Sequence, residues 1–424
     1  MSRTSSPRFG RRTGGGAPRH RNLGFGDRAR RREDGSRIKV AVLWLGRVSQ
    51  DTGGRTYLGE ILGPLGDQPG LDVDVHLGDP DFEVPASCTP VRHHVPYRVG
   101  PAARVLAEPL VAGALNFGDY DVLLAPLNFL PPTWRGPSVV VLHNVLAFGD
   151  SLRDEVSRLR AWYRPLATRA GLRRATEILT VSEHLRELVL AHFPDADPNR
   201  VHVAPLGTPT QLVMRARDRR GAAEGTNVLV VSTLRPYKRV DQAVEAFAEA
   251  TRGLGDSVLR IAGPARPAER EPLEQLADQL GVGGRVLFLG NLSHAALADL
   301  YAGADALLFL SEIESFGLPI LEAMAIGVPV IAKPIGALKE VGGNAPIWVP
   351  RDADAAAIGA TLRRVLASED LRDRHARAGR AQAARFDWQG AARLTADAVR
   401  RAAVSAQPRP TSRSAARGAR APSR

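Results

Sequence analysis

Cysteine is almost missing from this chain: Cys88 is the single one among 424 residues. A disulfide framework and zinc sites built on cysteine pairs are thereby excluded. Aromatic residues are scarce too, at 5%. None is interleaved with the arginines of the C-terminal tail, as a dedicated nucleic-acid surface would require. No apolar run is long enough to span a bilayer. The arginines near the N-terminus are not followed by a continuous apolar core, so a cytoplasmic protein without a secretory signal is expected.

Acidic residues are the next shortage, but only at the two ends. Residues 1–37 hold eleven arginines against three acids, and residues 405–424 hold five arginines and no acid. The formal charge of +12 therefore belongs to the ends, and the body between them is close to neutral. Both ends are dominated by Arg, Ser, Gly, Pro and Ala. They cannot bury enough apolar surface to offset the entropy of ordering, so both are expected as disordered basic tails. Loose peripheral contact with an anionic membrane stays open to them, whereas specific nucleic-acid binding is not expected. The Asp72-Val73-Asp74 pattern sits in an alternating strand and reads as an exposed face, so no metal is expected, and no cofactor.

What the chain has in quantity is alternation of strands and helices. Ile38 to Leu45 is an apolar run of the kind covered on both faces. Strands follow at Leu71 to His76, Tyr120 to Ala125, Ser138 to Leu142, Glu177 to Ser182 and Val201 to Ala204. Residues 211–226 are polar and glycine-bearing and read as a linker. Asn227 to Ser232 restarts the rhythm, which continues to Ile347 to Val349 and closes in helices, the last from Trp388 to about Val404. This predicts an α/β protein with two doubly wound, Rossmann-like domains, residues 38–210 and 227–387, facing each other across a cleft. Ser151 to Ala175 is basic and amphipathic, fitting equally a helix packed on the sheet or a contact with acceptor or membrane.

The chemistry concentrates in Phe309 to Ala332. A strand ends at Leu310, a polar loop runs to Leu318, and Pro319 to Ala325 reads as helix, with Pro319 suited to its first turn. Gly327 is expected as a left-handed cap, and Val328 to Ala332 as the next strand. A helix N-terminus offers unpaired amides and partial positive charge, which attract phosphate. A ligand held at the amides of Phe316, Gly317 and Leu318 would meet Glu314 before the turn and Glu322, placed on the first helical turn. Two carboxylate acceptors beside a phosphate cradle suit a sugar nucleotide.

Glu314 and Glu322, with Phe-Gly-Leu-Pro between them and Gly-x-Pro-Val-Ile after, resemble the signature of family 4 retaining glycosyltransferases of the GT-B fold. The resemblance covers nearly all of residues 38–404 and is strongest over residues 227–332. It implies transfer of a hexose from a UDP- or GDP-linked sugar to a hydroxyl acceptor, lipid-linked acceptors included, without metal, in cell-surface polysaccharide or glycolipid synthesis. It assigns Glu314 to the sugar, Glu322 to the ribose and Lys238, in Pro-Tyr-Lys-x-Val-Asp, to the diphosphate. Gly53 and Gly54 would lie near the diphosphate from the opposite domain. Gly290 and Asn291 would lie beside the nucleobase, and His143 would face the donor sugar. Two departures stand out. Asn144 replaces the usual aspartate after that histidine, and Thr233 stands where many relatives have a second phosphate-binding arginine. The clamp then rests on Lys238 alone or borrows Arg235 or Arg239. A GT-B epimerase or phosphorylase, and a non-catalytic sugar-nucleotide-binding regulator, are the alternatives.

Overall fold

The computed structural model describes residues 36–45, 53–93, 119–126, 130–131, 133–144, 166, 168–194, 196–218, 225–253 and 256–405. Both basic tails, most of the basic amphipathic segment, part of the linker and the loop between residues 46 and 52 lie outside them. The described residues form two parallel sheets.

The first sheet is built from β1 (Ile38–Trp44), β2 (Leu71–Leu77), β3 (Thr89–Arg92), β4 (Val122–Ala125), β5 (Ser138–Leu142), β6 (Glu177–Thr180) and β7 (Val201–Val203). Its order is β3-β2-β1-β4-β5-β6-β7. Helices α1 (Gly53–Gly66) and α2 (Glu183–His192) follow β1 and β6, and α3 (Thr210–Asp218) leaves the domain. Strands β4 and β5 are buried throughout, as residues covered on both faces must be. β3 had no sequence signal because it is a mostly exposed edge strand, and its Pro90 is tolerated only there.

The second sheet contains β8 (Thr226–Val231), β9 (Ser257–Ala262), β10 (Val286–Gly290), β11 (Ala306–Phe309), β12 (Val330–Ala332) and β13 (Ile347–Trp348), in the order β10-β9-β8-β11-β12-β13. Between and after them run α4 (Val240–Ala250), α5 (Pro267–Gln279), α6 (His294–Ala302), α7 (Leu318–Ile326), α8 (Gly336–Gly342), α9 (Ala355–Ala367), α10 (Glu369–Ala383) and α11 (Trp388–Ser405). In each sheet the order reverses once, between β1 and β4 and between β8 and β11. Loops leaving the carboxyl ends of strands at such a reversal diverge and open a crevice.

Two stretches differ from their sequence reading. Part of the expected linker is the helix α3, which buries Leu212, Val213 and Ala216. Tertiary partners hold it: Arg215 pairs with Asp299, and Arg217 donates to the carbonyl of Ala325 at 2.7 Å. The Asp72 to Asp74 pair does not form an exposed face, because Asp74 is buried and accepts the Tyr120 hydroxyl at 2.9 Å. Among the described residues no helix is long and apolar enough to cross a membrane.

One apolar cluster runs from the first sheet through α3, α6 and α7 to the near face of the second sheet, where Leu229, Leu307 and Phe309 join it. The far face, with Val228, Val230 and Leu308, packs separately under α4 and α9. Helix α11 returns to the first sheet. Its buried stripe of Ala391, Ala392, Ala396, Val399 and Ala403 consists of small residues, which lets it lie close. Arg401 fixes its end by donating to Glu177 at 2.9 Å.

Candidate active site

The reversal between β8 and β11 brings together two loops that are 76 residues apart in sequence. After β8 the chain turns through a single 3-10 turn, Pro236–Lys238, and then Arg239 takes a left-handed conformation, φ 53°. A non-glycine residue held there is strained and persists only when its surroundings fix it. They do so at Arg239, whose guanidinium grips Asp241 on one side and Glu312, at 2.6 Å, on the other. The Glu312 amide donates to the Tyr237 carbonyl at 2.8 Å. Between these ties Lys238 Nζ reaches Glu314 Oε1 at 2.5 Å. Both side chains are largely buried. Lys238 and Glu314, expected to serve different parts of one ligand, are thus in direct contact.

Glu314 leads into the N-terminus of α7. Gly317, at φ 96°, is the residue before the helix, and a Cβ there would lie 2.4 Å from Leu338 Cδ2. Only glycine satisfies both the backbone angle and that approach. Pro319 occupies the first turn and Gly327 closes the helix left-handed, as the sequence indicates. Phe316 is buried edge-on to Phe386, 5.9 Å between ring centroids. The amides of Phe316, Gly317 and Leu318 accordingly lie at a fixed helix start beside the Lys238–Glu314 pair.

Glu322 requires a correction. The helix begins at Leu318, so Glu322 lies past its first turn, and it is buried rather than open beside the loop. The Tyr301 hydroxyl donates to its Oε2 at 2.8 Å. Burial pushes the Glu322 carboxyl up to about 7, and the Tyr301 hydrogen bond only partly offsets it. At neutral pH this group is therefore divided between acid and carboxylate.

The two neighbouring arginines are engaged elsewhere. Arg235 pairs with Glu269 at 3.1 Å, and Arg239 ties the loops as described. Lys238 is the cation of this stretch that touches Glu314. Gly290 ends β10, with φ 67°, and its carbonyl accepts the Gly263 amide at 2.8 Å. Asn291 follows directly, so both stand two strands away from β8, at the same carboxyl edge of the sheet.

His143 and Gly53–Gly54 belong to the opposite domain. The two glycines are the first residues of α1. His143 follows β5, with Tyr57 of α1 edge-on at 4.3 Å and a hydrogen bond to the Pro126 carbonyl. Burial lowers its pKa to about 4 against that hydrogen bond, so the ring is neutral at pH 7. Sequence reasoning missed Tyr301, Lys333 and Ser182. Lys333 is buried at the end of β12 and donates to Gln242 Oε1 at 2.8 Å. Ser182, the residue before α2 in the first domain, donates to the carbonyl of Ser315 at 2.7 Å. Only tertiary neighbours distinguish Tyr301 and Lys333, whereas Ser182 carries the local mark of a helix cap and its bond to Ser315 is what the sequence does not show.

The sequence profile described as glycosyl transferases group 1 matches residues 216–382. An MMP alpha-(1->4)-mannosyltransferase of Mycolicibacterium hassiacum is 31% identical over 320 residues, which is 69% of this chain and 72% of that one. The chain belongs to the glycosyl transferases group 1 family. This glycosyltransferase is also 28% identical to O-antigen chain mannosyltransferase B of Escherichia coli over 308 residues, 70% of this chain and 79% of the relative. Of several D-inositol 3-phosphate glycosyltransferases that it matches, it spans about half the length. Among solved structures, Anabaena Alr3699/HepE in complex with UDP and glucose superposes with a TM-score of 0.64 at 18% identity, covering 86% of this chain and 99% of that one. That likeness, with the two facing parallel sheets, makes the architecture GT-B.

Proposed function

We propose that this glycosyltransferase moves a hexosyl group from a UDP- or GDP-linked sugar to a hydroxyl acceptor, with retention of anomeric configuration and without a metal ion. Its setting would be cell-surface polysaccharide or glycolipid synthesis, from the cytoplasmic side, with a lipid-linked acceptor among the candidates. The observation that carries the reading is the Lys238–Glu314 contact at the start of α7, in the crevice of the second sheet.

Charge assigns the roles. As the bond from the sugar C1 to the diphosphate oxygen breaks, its electron pair stays with the diphosphate, and positive charge grows on the sugar. Lys238 and the amides of Phe316 to Leu318 stabilise the first change, which is how the site would dispense with a metal. Glu314 has acceptor positions beyond the one Lys238 occupies and would hold sugar hydroxyls. Glu322, near half ionisation at neutral pH, would take the ribose diol. The acceptor oxygen forms the new bond to C1 and releases its proton. Neutral His143 would orient the sugar by hydrogen bonding from the facing domain.

A second reading, a sugar-nucleotide-binding regulator, draws on Thr233 and on the engagement of Arg235 and Arg239 with acidic partners, which leaves Lys238, itself paired with Glu314, as the cation that the loop after β8 offers the diphosphate. The deciding experiment mixes the purified protein with UDP-glucose or GDP-mannose in EDTA, with and without a membrane lipid extract, and follows nucleoside diphosphate release. Acceptor-dependent release supports transfer. Binding of UDP or GDP without release supports the regulator, and free nucleotide-sugar isomers formed without acceptor would indicate an epimerase. Chelator-sensitive release restored by magnesium or manganese would refute the metal-free mechanism.

A further inference from the structure

One of the contacts between the two domains is made by the first turn of α2. Ser182, fully buried, caps α2 by accepting the Leu185 amide at 3.1 Å while its hydroxyl hydrogen goes to the Ser315 carbonyl at 2.7 Å. Across the same gap the carboxylate of Glu340, on α8, accepts the amide of Glu183 at 2.9 Å and that of His184 at 3.3 Å. A carboxylate at a helix N-terminus meets unpaired amides and the positive end of the helix dipole. The third contact depends on an absent side chain. Gly336, at φ 41°, starts α8, and a Cβ there would lie 2.9 Å from the His184 ring and 3.3 Å from the Glu314 carbonyl. Only at glycine can the loop before α8, the Glu314 backbone and the His184 imidazole come this close.

Of these contacts, that of Ser182 falls on the residue between Glu314 and Phe316, that of Gly336 lies against the Glu314 carbonyl, and that of Glu340 holds the turn of α2 that carries Ser182 and His184. We propose that Ser182 and Glu340 are positioning residues: they clasp α2 to the opposite domain and thereby hold Ser315, with the Glu314 carboxylate and the amides of Phe316 to Leu318, in register with the cleft. Neither touches the reacting atoms. Ser182 acts through the backbone of the loop and Glu340 through the amides of α2, so domain closure and assembly of the candidate site become one event. The positioning of the loop is independent of what the site binds, whereas its effect on turnover rests on the glycosyltransferase reading above.

The test uses the full chain and variants chosen to separate capping from clasping. Glu340 is exposed, so Glu340→Ala keeps the fold. Ser182→Asp keeps a cap acceptor and loses the hydroxyl donor, and Ser182→Thr keeps both. Small-angle scattering without nucleotide should show Glu340→Ala and Ser182→Asp more open than wild type. Amide exchange in peptides covering residues 311–318 should be faster by about tenfold, the equivalent of one charged hydrogen bond in a local opening. Ser182→Thr should match wild type in both. With UDP-glucose or GDP-mannose as probe, kcat should fall about tenfold and KM should change little, as for a group that acts only when the site is assembled. Unchanged scattering and exchange in Glu340→Ala would overturn the clasp. Opening and faster exchange at unchanged kcat would overturn the positioning role. Should wild type turn over neither donor, the functional reading fails, and scattering with exchange still decides the clasp.

Discussion

Replacing Glu322 by glutamine should stabilise the protein, by an amount that depends on pH. In the folded chain the carboxyl titrates at about 7 against an ordinary value of 4.5, because it is buried beside Tyr301. The folded state therefore holds a proton that the unfolded state has released over that interval. The stability from the protonated form is fully present below pH 4.5 and is lost as pH rises through 7. At about 1.4 kcal/mol per pKa unit, this amounts to about 3 kcal/mol between the two ends. Glutamine keeps an acceptor for the Tyr301 hydroxyl and has no charge to bury. The Glu322→Gln variant should match wild type near pH 4.5 and exceed it by about 3 kcal/mol at pH 8. In a domain of this size that is roughly 6 to 12 °C in melting temperature. Thermal or urea unfolding of both proteins across that range makes the measurement. A gap that does not change with pH, or a variant less stable at pH 8, would refute the account of Glu322 as a buried, raised carboxyl. Affinity should move the other way, with free UDP or GDP bound more weakly by about 1.5 to 3 kcal/mol in calorimetry, if the carboxylate takes the ribose hydroxyls.

Glu314→Gln should lower the turnover rate and leave nucleotide affinity nearly unchanged, and equal affinity losses at Glu314 and Glu322 would end the division of roles between them. Lys238→Met removes the cation that faces the leaving group; steady-state turnover should drop by about 100- to 1000-fold, and a loss under tenfold would mean that another cation serves the diphosphate. Tyr301→Phe deprives Glu322 of its donor and should destabilise the protein by about 1 to 3 kcal/mol. Urea denaturation should find that loss larger at pH 8, where the carboxylate is charged, than at pH 5.

Strands buried on both faces were the most legible part of the chain, because continuous apolar runs such as Ile38 to Leu45 and Asn227 to Ser232 leave little choice. The helix at residues 210–218 was not legible, since its four apolar residues are mixed with five polar or charged ones, and its two arginines find their partners, Asp299 and the Ala325 carbonyl, far along the chain. At the site, the loop before α7 could be read because its signals are local: proline in the first turn, glycine at either end. Glu322 was misplaced because helix phase depends on where the first turn starts, and here that is Leu318. The partnership of Lys238 with Glu314 is a product of strand order, which no single stretch encodes. The same holds for Asp74, read as exposed from alternation and buried by Tyr120, which arrives from the segment just before β4, two strands away in the sheet.

The return of α11 to the first sheet has a consequence for how the chain is made. Trp388, Ala392, Ala396 and Val399 fill the core beneath α1, so the first domain to leave the ribosome is the one that waits longest for its last piece. Until residues near 405 emerge, Tyr57, which packs 5.9 Å from Trp388, has an unfinished apolar wall at its side. The second domain, contiguous in sequence, has no such delay. Synthesis therefore reverses the order of completion, and a chain cut short after residue 387 would present a nascent first domain with a helix-sized apolar groove, a form suited to chaperone capture or aggregation.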